Sequence, residues 1–362
     1  MPKIDLIAGT RPNFVKIASL INAIESSDKS FEYRLVHTGQ HYDASLSESF
    51  FKDLELPEPD FNFGIGSGSQ AEQTAGIMLN YEKLLRKNLP DLCLVVGDVN
   101  STMACAITAK KMGVKVAHVE GGIRSNDLKM PEEINRIVTD SIADYFFTTT
   151  TSASRNLVNS GHSQESIFFV GNTMIDTLKR FENKFRRPGI WSELSLRPQE
   201  YFVLTMHRPA NVDEKETLKS FLTEIINHSE DKKIIFPIHP RTSKTLDLDE
   251  IINSNLHIIP PLGYLDFNYL VKNSLGVITD SGGITEETTA MNVPCITLRD
   301  NTERPETVEI GTNDLIGTNP KNIAPAIKKI LTNNWKKGQL PDKWDGKSGE
   351  RIISILQEIL VE

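Results

Sequence analysis

The chain has 362 residues, too many for one ordinary domain of roughly 100–200 residues and enough for two. Apolar residues make up 39% and charged residues 24%, with no Pro/Gly/Ser-rich tract and no block of one charge; this excludes a disordered chain and predicts a buried core. A net charge of −8 without a basic run or an RNA-binding aromatic motif argues against nucleic acid as a partner, and no stretch has the apolar length to span a bilayer, so no membrane partner is expected.

The chain begins Met1-Pro2-Lys3-Ile4-Asp5, entering an apolar strand at once without the long apolar core of a signal peptide. Cys93, Cys105 and Cys295 are odd in number and far apart, with no C-x-x-C pair. Both features predict a cytoplasmic protein with reduced thiols.

Short β-branched runs alternate with segments of helical period, and strands separated by helices predict parallel βαβ units. In such sheets ligands gather beyond the carboxyl ends of the strands. The first strand, Ile4 to Ala8, runs into Gly9-Thr10-Arg11-Pro12-Asn13-Phe14-Val15-Lys16, a glycine turn whose Arg11 and Lys16 either face an anion at the N-terminus of the helix that follows or sit on a solvated first turn. It matches neither the dinucleotide nor the P-loop pattern.

After Tyr33 to Val36, the strand Leu92 to Val96 leads to Gly97-Asp98, and Val114 to Val119 leads to Glu120-Gly121-Gly122. Pro131-Glu132-Glu133-Ile134-Asn135-Arg136 then starts a helix with acids at the positive end of its dipole. Each carboxylate has a plain structural reading: Asp98 as a helix cap, Glu120 as a surface acid, Glu132 with Arg136 as an exposed i,i+4 pair. Gathered at one site, they suit general acid and base work, although hard cations also take oxygen ligands. The residues alone leave a divalent metal open; the reading taken is no metal and no cofactor.

Tyr145 to Phe147 and Ile167 to Val170 complete the first half, and the weakly apolar Arg180 to Pro198 reads as a connection. Two domains imply a cleft. The rhythm resumes with Tyr201 to Thr205, Ile234 to Ile238, His257 to Ile259, Gly276 to Thr279 and Cys295 to Leu298. Two of these strands end in His207-Arg208 and His239-Pro240-Arg241, which favour an anion. Thr279-Asp280-Ser281-Gly282-Gly283 joins a strand to a helix as a phosphate cradle, with Glu287 placed to reach ribose hydroxyls. The plain alternative makes Ser281 a helix cap. Gly349 to Leu360 has the period of an amphipathic helix.

Gly9-Thr10-Arg11-Pro12 with Lys16, His37-Thr38-Gly39-Gln40-His41, Gly97-Asp98, His118-Val119-Glu120-Gly121-Gly122, Pro131 to Arg136, Gly171-Asn172-Thr173, His207-Arg208, Asp280-Ser281-Gly282-Gly283 and Glu303-Arg304-Pro305-Glu306 form an ordered series. That series resembles the non-hydrolysing UDP-N-acetylglucosamine 2-epimerases. The resemblance implies an α/β fold of glycosyltransferase-B type: two Rossmann-like doubly wound domains, residues 1–175 and a UDP-binding 176–345, with the active site in the interdomain cleft and helix 346–362 packing back on the first domain. It also implies a cytoplasmic homodimer, an isomerase that supplies polysaccharide precursors by eliminating UDP from UDP-N-acetylglucosamine and re-adding it to a 2-acetamidoglucal.

By the same resemblance Asp98, Glu120 and Glu132 are the acid/base carboxylates, assisted by His207 and Lys16. UDP would lie on Arg11, His239, Ser281, Gly282, Gly283, Glu287 and Arg304, with Phe267 near the uracil. Where many bacterial members with an allosteric UDP-N-acetylglucosamine site continue Gln40-His41 with Arg-Glu, this chain has Tyr42-Asp43. That pair and the segment His207 to Asp213 also resemble relatives acting on UDP-2,3-diacetamido-glucuronic acid, the alternative substrate. A glycosyltransferase and a non-catalytic UDP-sugar sensor are the rivals from other classes; the first has less use for three acid/base carboxylates and the second has none.

Overall fold

In the computed structural model, which describes residues 1–27, 31–39, 50–238, 242–243 and 254–361, the alternation of apolar strands and helices becomes two parallel sheets. Strands β1 (Lys3–Ala8), β2 (Glu32–His37), β3 (Phe61–Asn62), β4 (Leu92–Val96), β5 (Lys115–Val119), β6 (Tyr145–Thr148) and β7 (Ile167–Phe169) form the first, in the order β3-β2-β1-β4-β5-β6-β7. β8 (Tyr201–Thr205), β9 (Lys233–Pro237), β10 (Leu256–Ile259), β11 (Gly276–Thr279), β12 (Cys295–Thr297) and β13 (Asn313–Leu315) form the second, in the order β10-β9-β8-β11-β12-β13. The direction of winding reverses between β1 and β4, and again between β8 and β11. Each reversal opens a crevice at the carboxyl ends of those strands.

Helices cover both faces of such a sheet, so alternate residues of one strand enter opposite cores. In the second sheet Phe202, Leu204 and Ile278 enter one core, while Tyr201, Val203 and Val277 enter the other. This explains why the strands are apolar throughout rather than alternating.

The chain divides into two compact units, Met1–Arg180 with Asp342–Glu362, and Phe181–Pro341. Helix Ser348–Val361 belongs to the first unit, where it packs on helix Arg11–Ser26. Asp176 Oδ2 accepts hydrogen bonds from Ser19 Oγ at 2.8 Å and from Gly349 N at 2.7 Å, joining three helices. Strands β3 and β13 are absent from the sequence reading; β3 has only two residues, and β13, Asn313-Asp314-Leu315, is too polar to read as a buried strand.

Candidate active site

In the first unit the turn after β1 is built around Asn13. Its Oδ1 accepts from the backbone of Gly9 and Thr10, each at 3.1 Å, and its Nδ2 donates to Val96 O at 3.0 Å. One side chain thus ties the end of β1 to the end of β4 across the crevice. Gly9 has no alternative here, since a Cβ would lie 2.0 Å from Ser101 Oγ. Arg11, half-buried, opens the following helix.

One turn further, Lys16 Nζ reaches Glu120 Oε2 at 2.6 Å, with side-chain exposures of 6% and 2%. Glu120 is therefore no surface acid. Its φ of +72° is left-handed, a conformation that costs a non-glycine residue about 1–3 kcal/mol. The hydrogen bond from Glu120 N to Phe147 O, 2.9 Å, helps to hold it.

Asp98 does not cap the next helix, whose N-cap is Val99. Its Oδ2 pairs with Arg136 Nη1, while its carbonyl accepts from Asn135 Nδ2 at 2.9 Å. Arg136 also pairs with Glu133 at 2.7 Å, and Glu133 accepts from the backbone of Ser125 and Asn126. Burial pushes the Glu133 carboxyl up, but those hydrogen bonds and Arg136 outweigh it, leaving it below the usual range. The expected Glu132–Arg136 pair is absent because the helix turns Glu133 and Arg136 inward together. Glu132 is half-buried on the first turn, and among the described residues its side chain makes no hydrogen bond or ion pair.

A second group supports this one. Buried His118 on β5 contacts Asp140 Oδ1 through Nδ1 at 2.7 Å and Gly97 O through Nε2 at 2.8 Å. Asp140 Oδ2 accepts from Gly122 N at 3.0 Å and Arg124 Nη1 at 2.6 Å. His118 appeared in the sequence only as part of a motif, and nothing in the spacing of residues 118, 124 and 140 signals that they meet.

In the second unit, Asp280 plays the part that Asn13 plays in the first. Its carboxylate accepts from the backbone of His207 (3.0 Å) and Arg208 (2.9 Å) and from Asn211 Nδ2 (3.1 Å), and His207 Nδ1 lies 3.0 Å away. Burial pushes this carboxyl up, but His207 and the donated N–H groups hold it below the ordinary range. The ends of β8 and β11 are thereby locked together.

Ser281, Gly282 and Gly283 follow, all half-buried at the start of helix Gly282–Ala290. Ser281 holds the N-cap position, yet its side chain makes no capping hydrogen bond. A Cβ at Gly282 would lie 2.7 Å from Glu303 Oε1. Glu303 pairs with Arg299 at 2.6 Å; burial acts against its charge, but Arg299 and Arg304 prevail and bring its pKa to about 2. Arg304 pairs with Glu286 at 2.8 Å, both buried. Burial raises the Glu287 carboxyl to about 7 against hydrogen bonds from Tyr264 and Asn268. Phe267 is half-buried on helix Tyr264–Asn273. His239, Arg241 and residues 40–43 lie outside the described residues.

The structure therefore brings Lys16 to Glu120, His207 to Asp280, and Gly282 to Glu303. Asn13, His118, Asp140 and Asp280, which the sequence reading named at most as members of a motif, hold them in place, together with Arg136, which it read as an exposed partner of Glu132.

Residues 23–357 match the family model described as UDP-N-acetylglucosamine 2-epimerase. A UDP-N-acetylglucosamine 2-epimerase of Methanocaldococcus jannaschii is 44% identical over 98% of both chains. The crystal structure of the M. jannaschii UDP-GlcNAc 2-epimerase with UDP-GlcNAc and UDP superposes with a TM-score of 0.89 at 43% identity, covering 98% of this chain and 99% of that one. A UDP-2,3-diacetamido-2,3-dideoxy-D-glucuronate 2-epimerase of Pseudomonas aeruginosa is 38% identical over 99% of this chain and all of its own length. The α/β fold, with two Rossmann-like domains of the glycosyltransferase-B type, is the one these relatives share. On its sequence and its fold, the chain belongs to the UDP-N-acetylglucosamine 2-epimerase family.

Proposed function

We propose that the chain is a non-hydrolysing UDP-N-acetylglucosamine 2-epimerase, an isomerase that interconverts UDP-N-acetylglucosamine and UDP-N-acetylmannosamine for cell-surface polysaccharide synthesis. The observation that carries this reading is the buried Lys16–Glu120 pair at the strand ends beside Gly97-Asp98. A sensor that only bound UDP would have no use for a strained, desolvated carboxylate there. In this reading Asp98, Glu120 and Glu132 move protons at C2 of the sugar and at neighbouring oxygens, and Lys16, 2.6 Å from Glu120, orients it. Proton transfer by a positioned side chain contributes roughly 10²–10⁴-fold.

UDP leaves as an anion, so its departure is favoured by whatever holds its charge. We assign that task to the N–H groups of Ser281, Gly282 and Gly283 at the start of their helix, with Arg11, His239 and Arg304. Phe267 is assigned to the uracil, Glu287 to the ribose, and His207, held by Asp280, to assisting the departure. The scheme uses the protein's own side chains and backbone N–H groups, without metal or cofactor, in a cytoplasmic homodimer.

The P. aeruginosa relative favours one second reading, the 3-acetamido uronic acid nucleotide as substrate. The test is incubation with each UDP-sugar in heavy water, followed by NMR. Elimination and re-addition place one solvent deuteron at C2 and scramble oxygen-18 from the C1–O bridge into the β-phosphate. Labelling of the uronic acid nucleotide alone would change the substrate and keep the reaction. No C2 exchange with either sugar would end the epimerase reading.

A further inference from the structure

The ring of His118 is wholly buried, and both of its nitrogens face acceptors: Asp140 Oδ1 at 2.7 Å and Gly97 O at 2.8 Å. A carbonyl oxygen has no proton to give, so Nε2 must carry one. A carboxylate has none either, so Nδ1 carries a second unless Asp140 is protonated. Asp140 is poorly placed to be protonated, because its other oxygen already accepts from Gly122 N and from the Arg124 guanidinium.

We propose that His118 is an imidazolium that positions the site: it clamps the carbonyl of Gly97 and so fixes the turn that aims Asp98, with Asp140 as its counter-ion. Gly97 is in the left-handed region at φ +69°, and a Cβ there would lie 3.0 Å from Lys16 Nζ and 3.8 Å from Glu120 Oε2. Any shift of this turn therefore disturbs Asp98, Lys16 and Glu120 together. The positioning role rests on the epimerase reading; the charge state does not.

The first arm of the test is nitrogen NMR of the full chain labelled at histidine, at about pH 7, with the His118 ring assigned by its loss in His118→Gln. Two protonated ring nitrogens, each with a slowly exchanging N–H, are expected. One bare nitrogen in that ring overturns the charge state.

The second arm is kinetic. Asp140→Asn keeps the shape but removes the counter-ion, and is expected to lower kcat by roughly 10- to 100-fold with KM and UDP affinity nearly unchanged. A folded variant with the kcat of the parent overturns the positioning role. Should Asp140→Asn not fold, Arg124→Gln, which strips the half-buried second cation from Asp140, is read in the same way, and the spectrum of the unmodified chain is assigned with it. The spectrum does not depend on any substrate, so failure of the epimerase reading and failure of this one are told apart.

Discussion

Lys16 Nζ lies 2.6 Å from Glu120 Oε2, and the sequence places these two buried residues 104 positions apart. The lysine comes from the helix after β1 and the glutamate from the end of β5, so the pair exists only because β4 sits between those strands.

Removing one partner of a buried pair leaves the other charge less compensated. Lys16→Met is therefore expected to destabilise the protein by about 3–5 kcal/mol, and Lys16→Met combined with Glu120→Gln to recover much of that loss. Urea unfolding checks it; a double variant no more stable than the single one would mean that the charges do not compensate each other.

Glu120→Gln, Asp98→Asn and Glu132→Gln are expected to lower turnover by roughly 10²–10⁴-fold if each is an acid or base, with UDP affinity kept. The variants differ in stability. Asp98→Asn weakens a buried guanidinium pair, whereas Glu132→Gln touches no partner among the described residues and should unfold with the parent. Thermal melts beside steady-state kinetics separate the two effects.

Ser281→Ala should weaken UDP binding at little cost to the fold. An ordinary cap substitution costs about 1 kcal/mol, but this hydroxyl makes no capping bond. Arg304→Ala behaves differently, since it leaves Glu286 buried without its 2.8 Å partner and should lower stability as well. Calorimetry with UDP and denaturant titration of each variant provide the check.

Glu303 contributes stability that depends on acid. Its carboxyl is held near about 2, against an ordinary 4.5. A depressed folded pKa stabilises above the unfolded value, so the contribution is present above pH 4.5 and disappears as the pH falls toward 2. Glu303→Gln should flatten that part of the acid-unfolding curve. An unchanged slope would show that the Arg299 pair carries no linkage.

Glu287 has the opposite sign. Burial raises its carboxyl from 4.5 to about 7, so the folded state takes up a proton and stability falls as pH rises across that interval. Glu287→Gln is expected to be the more stable protein at neutral pH and the weaker binder of UDP. Melting curves at pH 4.5 and at 7 test the first half, and calorimetry the second.

The amino-acid sequence by itself determined the architecture and where to look on it. Runs such as Leu92–Val96, Tyr201–Thr205 and Gly276–Thr279 are strands with the bounds read from them, because a strand buried on both faces is marked by its composition alone. The polar residues that follow them stand at the strand ends for the same reason. Only the tertiary structure decided which of those residues meet. Arg136 faces Glu133 and Asp98 instead of Glu132, because the helix buries the side that carries residues 133 and 136. His118 meets Asp140, and His207 meets Asp280, through strand order and register. Pairings between strand ends are set by the packing of the sheet and its helices, and a linear spacing does not encode that packing.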